Sequence, residues 1–228
     1  MSSSFRVAHS IHPGTGDKRR LAAVMTGLVV LWVVLGSPFA SLDHQFLIAH
    51  MLQHLLLMTV AAPLFLLGAP GIVRRLRSRL HPVLCWLAGT GTVMVWHVPA
   101  LFQAGMQAPG WHAVEHASFL AAGLLFWFPV VPFKPGGDAG SPWSAPVYLF
   151  LATLPCDVLS AFLTFCNRVV YPHYQSVPRA WGLSPLADQE IAGALMWTWV
   201  TFAYLIPAVA ITVRTLSPHE RRSPVEAM

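Results

Sequence analysis

Ala49-His50-Met51-Leu52-Gln53-His54-Leu55-Leu56-Leu57-Met58 lies near the start of an apolar run that covers residues 45 to 67. A membrane-spanning helix needs about 20 apolar residues, so the run is long enough to cross a bilayer. In a helix His50 and His54 share a face, and Met51 and Met58 lie within about 100° of it. Four potential metal ligands thus form one stripe on a helix that otherwise reads as lipid-soluble. Ionisable residues inside a membrane are expensive, so such a stripe points to a functional site.

The composition agrees with a membrane setting. The chain is 55% hydrophobic and only 10% charged, against about 25% charged residues in a soluble domain. Five further apolar runs flank the first: residues 21 to 40, 82 to 103, 111 to 131, 144 to 167 and 187 to 213. Pro63, Pro155 and Pro207 fall inside runs, and Pro63 is expected to kink its helix. Ala113, Ala117 and Ala121 recur every four residues, a spacing that permits close helix contact. The three cysteines do not read as a disulfide framework. Ten residues of helix would hold Cys156 and Cys166 about 15 Å apart.

The first run also has the basic start and short apolar core of a signal peptide. Pro38, however, stands where a small residue is wanted before the cut, so a retained span is expected. Lysines and arginines then fix the orientation. Twelve fall on the side of the two termini and the Arg74–Arg79 turn; only Arg168 and Arg179 fall on the other. The positive-inside rule places both termini in the cytoplasm. The expected fold is an all-α polytopic membrane helical bundle of about six transmembrane helices. Residues 1–20 form a polar cytoplasmic tail, 21–215 the transmembrane domain and 216–228 a second tail. The basic excess belongs to this asymmetry and implies no nucleic-acid partner; the surrounding partner is the lipid bilayer.

Orientation gives the polar residues a depth. His50 and His54 lie in the outer half of the second span, His97 at the outer end of the third, and His112 and His116 at the outer start of the fourth. Asp43, Glu115, Asp188 and Glu190 are also at outer helix ends. One shared depth on several helices makes a convergent site the stronger reading for the five histidines. For His44 and His173 a hydrogen bond between helices suffices. Met51 and Met58, taken alone, would be core filler. Thr153, Asp157, Ser160 and Thr164 form a polar stripe that reads equally as an ion path or as contact between helices.

Imidazole suits zinc, copper and iron, and thioether selects the softer Cu(I). A His/Met mixture on the oxidising side of a membrane points first to copper, with Glu115 able to orient an imidazole. Two rivals remain open. His112-Ala113-Val114-Glu115-His116 is an H-x-x-E-H string, which would suit a zinc hydrolase with Glu115 as base. Histidines from two facing helices would also suit a bis-histidine haem.

Several strings, in this order, resemble a known family. They are Gln53-His54-Leu55-Leu56-Leu57, Leu67-Gly68-Ala69-Pro70, Trp96-His97-Val98-Pro99, Trp111-His112 through Glu115-His116-Ala117-Ser118-Phe119, Phe126-Trp127-Phe128-Pro129, and Asp188-Gln189-Glu190-Ile191-Ala192-Gly193 with Met196-Trp197. Together they resemble the CtaG-like cytochrome c oxidase assembly factors of the caa-type oxidases, over residues 40 to 215. The resemblance implies a multi-span protein of the bacterial plasma membrane. It would not be an enzyme. It would serve a haem-copper oxidase subunit as partner, and bring copper to it on the outer side. It also implies that His50, His54, His97, His112, His116 and Asp188 occupy motif positions. The expected metal set is therefore those five histidines with Met51 and Met58, supported by Glu115, Asp157 and Asp188.

Overall fold

The computed structural model describes residues 15–76, 79–131, 141, 143–178 and 182–217. All regular structure among these residues is helical. The expected tails lie outside them at 1–14 and 218–228, as do Trp181, residues 132–140 and 142, and six cations of the charge count: Arg6, Arg77, Lys134, Arg179, Arg221 and Arg222.

The helix that carries the His50–Met58 stripe is the hub. It runs from Leu47 to Gly68 as α2 (Leu47–Leu56), a π turn (Leu57–Ala61) and α3 (Ala62–Gly68). Half of its apolar window is buried, against 11% for the first helix, α1 (Thr15–Gly36). Pro63 accounts for the π turn. It has no N–H to give, so a carbonyl one turn back is left without its donor. In the π register the orphaned acceptor is the Met58 carbonyl, and Trp127 Nε1 donates to it at 3.0 Å. The expected kink is thus absorbed as a change of helical register.

Around the hub stand α4 (Pro70–Leu76), α5 (Pro82–Trp96), α6 (Pro99–Gln107), α7 (Pro109–Trp127), α8 (Ser144–Phe165), α9 (His173–Ser176) and α10 (Pro185–Leu216). α10 packs on α8 and α2; α7 packs on α5, α3 and the π turn; α1 packs on α3. Two glycines set the closest approaches. A Cβ on Gly123 would lie 2.8 Å from the Met58 Cα, and one on Gly193 would lie 2.8 Å from the Thr164 nitrogen. Small residues let helix backbones meet in a membrane. The Ala113, Ala117 and Ala121 row does not do this. All three are exposed, while Ala122 and Gly123 face inward. The contact face is set by Phe119 and Phe126, which are buried on the same side as Gly123.

The spans differ from expectation in three places. Gly36 ends α1, and residues 37 to 40 do not extend it. Ser37 Oγ accepts from Phe39 N and starts a 3₁₀ turn over Pro38–His44 instead. The third span is broken. Pro99 cannot continue α5, so the chain bends by 76° after His97 and α6 lies across the end of the bundle. α5 alone is 15 residues, about 22 Å at 1.5 Å per residue, short of a bilayer core of about 30 Å. α7 is 19 residues but carries His112, Glu115 and His116 in its first turns. Four helices are long and apolar enough to cross a membrane among the described residues, or five if α5 and α6 count as one. The fold is the all-helical membrane bundle that the sequence implies. α1 also starts earlier than residue 21, with Lys18, Arg19 and Arg20 in its first turns.

The two ends of the bundle carry opposite chemistry. The Arg20 carbonyl sits beside Gly68, Arg74 and Arg75 follow in α4, and Arg214 is in the last turn of α10. At the other end lie the 3₁₀ turn, the α5–α6 elbow and the loop of Tyr171 and Tyr174. Tyr171 donates to the His97 carbonyl at 3.2 Å and Tyr174 to the Asp43 carbonyl at 2.6 Å. His173 Nε2 donates to the His44 carbonyl at 3.0 Å, the hydrogen-bonding role its sequence position suggests.

Candidate metal centre

α2 is positioned from its first turn. Its N-cap, Phe46, offers no side-chain acceptor. Asp188, in the first turn of α10, supplies one from another helix: Leu47 N donates to Oδ2 at 2.7 Å and Ile48 N to Oδ1 at 3.1 Å. Charged hydrogen bonds of this kind are the strong ones. Asp188 thus acts through the backbone of α2. It pins the start of the helix that holds His50, three residues beyond Leu47. Neighbouring Gln189 ties the other side: it accepts from Val170 N at 2.7 Å and donates to the Leu163 and Arg168 carbonyls.

Within the bundle the histidines converge. Ring centroids are 4.3 Å apart for His50 and His54, 5.4 Å for His54 and His116, 5.8 Å for His50 and His112, and 4.3 Å for His112 and His116. The Glu115 carboxylate enters among them. Its Oε1 is 3.3 Å from His50 Nε2 and 3.6 Å from His54 Nε2. The ligand atoms of His50, His54 and Glu115 all lie within 4.8 Å of one another, and those of Asp43, His50 and His112 do the same. The sequence suggests that Glu115 stands behind an imidazole; in the structure it is itself a prospective ligand. Phe119 stacks on His54 at 3.8 Å, and Phe102 of α6 lies 4.9 Å from His50. Gly105 of α6 leaves room for the carboxylate, since a Cβ there would meet Glu115 Oε2 at 2.8 Å.

Two residues of this centre are not in the metal set expected from the sequence. Asp43, on the 3₁₀ turn, is 2% exposed, and its Oδ2 lies 3.2 Å from His112 Nε2. Burial alone would push the Asp43 carboxyl up. The close His112 imidazole and the charges of His112, His44 and His50 outweigh it and hold the carboxyl below the usual range. Gln53 is fully buried. It donates to the Ala40 carbonyl at 3.1 Å, and its Oε1 lies 3.1 Å from His116 Nε2. The available signal is position: Gln53 is three residues from His50 on the same helix face, and Asp43 adjoins His44.

Other expected members sit elsewhere. His97 lies at the α5–α6 elbow, with Nε2 3.3 Å from Met51 Sδ. Met51 and Met58 point below the Glu115 cluster into a separate cavity with His54 and His97. The structure thus divides the expected His/Met set into an imidazole–carboxylate cluster and a thioether-lined cavity. Asp157 belongs to neither; it is half-buried on α8 beside Cys156. In the polar stripe Thr153 and Thr164 donate back to carbonyls of their own helix, as self-satisfied hydroxyls do.

The cluster has spare coordination capacity. His50 Nδ1, both ring nitrogens of His54 and Glu115 Oε2 are buried with no hydrogen-bond partner. Leaving such a group unsatisfied costs about 1–3 kcal/mol. An imidazole–carboxylate set of this kind fits zinc, copper or iron. The H-x-x-E-H string does not aim as a single unit. His112 faces Asp43 and His116 faces Gln53, while Glu115 faces His50 and His54.

An uncharacterised protein of Mycobacterium leprae is 24% identical over 221 residues, covering 84% of this chain and 33% of its own length. Uncharacterised proteins of Mycobacterium bovis and Mycobacterium tuberculosis are each 22% identical over 223 residues, covering 86% of this chain and 34% of theirs. The chain therefore spans about a third of the length of these curated relatives. No solved structure matches it. The sequence signature of the cytochrome c oxidase caa3 assembly factors matches residues 5–217, and the chain belongs to that family.

Proposed function

We propose that this protein assists the maturation of a haem-copper oxidase by holding copper at the outer end of its bundle. His50, His54 and Glu115 form the centre of the site, with His112 and Asp43 beside them. The copper is cargo for an oxidase subunit, not the cofactor of a reaction. In this reading the protein is a multi-pass chaperone of the bacterial plasma membrane and not an enzyme.

The observation that carries the reading is the unpartnered state of His54. Both of its ring nitrogens lack a hydrogen-bond partner, although the residue is only 4% exposed. A bound cation would satisfy one of them, the nitrogen that carries the lone pair. The imidazole–carboxylate set alone also suits zinc; the adjoining thioethers favour copper. The segregation of Arg20, Arg74, Arg75 and Arg214 to the opposite end supports termini in the cytoplasm and a metal cluster outside.

Two features favour this role over its rivals. Glu115 is fully buried, so a peptide and an attacking water would reach its carboxylate only if the bundle rearranged. The cavity between His54 and His97 is about 20 Å³, room for an ion or a water but not for a macrocycle. The test is the copper content of the caa-type oxidase in cells whose only copy carries His50→Ala and His54→Ala. The reading expects oxidase depleted of copper. Normal copper content would refute it.

A further inference from the structure

Below the Glu115 cluster the bundle encloses the cavity of about 20 Å³ already described, reached by Met51, His54, Met58, His97, Cys156 and Met196. These six residues come from α2, the π turn, the α5–α6 elbow, α8 and α10. Among the described residues no carboxylate lines the cavity. We propose that it is a second metal site, selective for Cu(I), with His97 Nε2 and sulfur donors drawn from Met51, Met58, Met196 and Cys156, and with His54 on the wall it shares with the cluster above. This deepens the copper reading of the protein and rests on it.

Methionine often fills gaps in a core, so the sulfur atoms alone would mean little. The histidines add independent observations. His97 Nδ1 lies 2.7 Å from the Val93 carbonyl. A carbonyl only accepts, so Nδ1 carries the proton and neutral His97 presents a lone pair at Nε2. That lone pair faces Met51 Sδ at 3.3 Å. Two electron-rich atoms meet with no proton between them. A cation held by both would turn this contact into ligation. Metal–nitrogen and metal–sulfur bonds of about 2.0 and 2.3 Å place N and S about 3.3 Å apart when the angle at the metal is about 100°. His54, almost wholly buried and unpartnered at both nitrogens, borders the same space.

The donor chemistry then selects the ion. Thioether and thiolate prefer Cu(I), whereas the imidazole–carboxylate cluster above suits a harder ion. A divalent ion in a cavity without carboxylates would keep most of its charge uncompensated, which burial makes costly. A monovalent ion with one thiolate is neutral. The two sites therefore differ in donor softness and in compensating charge, and His54 stands on their common wall.

The test uses full-length protein in detergent, loaded anaerobically with Cu(I) or separately with Zn(II), and X-ray absorption at the copper edge. Wild-type protein is expected to show a sulfur shell around Cu(I). With selenomethionine in place of methionine, a copper shell should appear at the selenium edge. Met196→Leu combined with Cys156→Ala should roughly halve the sulfur shell, leaving Met51 and Met58, while Zn(II) binding is retained. Glu115→Gln should lose Zn(II) and keep the sulfur-bound Cu(I). Cu(I) bound by nitrogen and oxygen only, or selenium without a copper neighbour, would overturn the proposal even if the double variant failed to fold. Zn(II) binding unaffected by Glu115→Gln, with the sulfur shell present, would instead sink the cluster reading and leave the second site standing.

Discussion

Glu115 Oε1 lies 3.3 Å from His50 Nε2, joining α7 to α2 inside the bundle. Both side chains are fully buried. The contact would gain little as a structural device alone, because a buried ion pair loses solvation that its attraction barely recovers. It is favourable if a metal completes it. Glu115→Gln keeps the shape and removes the charge. Metal affinity should fall by more than the roughly 10- to 100-fold typical of losing a group behind a ligand. Chelator competition on purified protein measures this. An unchanged affinity would exclude the carboxylate as a ligand.

Asp188 gives a second, separable prediction. It caps α2 from α10 through two backbone N–H groups. Asp188→Ala leaves both donors buried, with a cost of about 1–3 kcal/mol. Thermal unfolding in detergent should show the loss. A variant as stable as wild type would remove the cap from the account.

Close backbone approach predicts a contrast between two glycines. Gly123→Ala drives a Cβ to within 2.8 Å of the Met58 Cα, whereas a Cβ on Gly91 meets nothing within 4 Å. Overpacking typically costs about 1–3 kcal/mol, and a Gly-to-Ala change in an open helix is favourable by about 1 kcal/mol. Unfolding should therefore separate Gly123→Ala from Gly91→Ala in opposite directions. Equal stability of the two variants would contradict the packing described for α7.

Orientation is testable by labelling. Ser41 and Arg75 are exposed at opposite ends of the chain's hub region. In protein whose three cysteines have been replaced, Ser41→Cys should react with an impermeant maleimide added to intact spheroplasts, and Arg75→Cys only after lysis. The reverse pattern would invert the protein and put the cluster in the cytoplasm.

Helices show in a sequence as apolar runs, so the class of fold and most helix positions are legible in the residues themselves. His50 and His54 share a face through the helical period, and burial of both follows. The broken third span is less visible, because a helix of 15 residues and a bent continuation look like one apolar run. Only Pro99 marks the break. Asp43 escapes a sequence reading because its partner, His112, is 69 residues away and comes near only through the packing of α7 on the hub. The split between nitrogen and sulfur donors is latent in the roughly 100° between Met51 and the His50 face. Which neighbours stand at that angle is a tertiary fact: His97 arrives through the α5–α6 elbow, and Met196 through α10.

The central claim is that the cluster of His50, His54 and Glu115 holds copper. It is tested most directly by metal analysis of purified protein after copper loading and exhaustive dialysis, wild type beside His50→Ala/His54→Ala. The account predicts copper retained by the wild type and the cluster's share lost from the double variant, with both proteins folded by circular dichroism. Wild-type protein that retains no copper, or a folded double variant that retains as much as wild type, would contradict it.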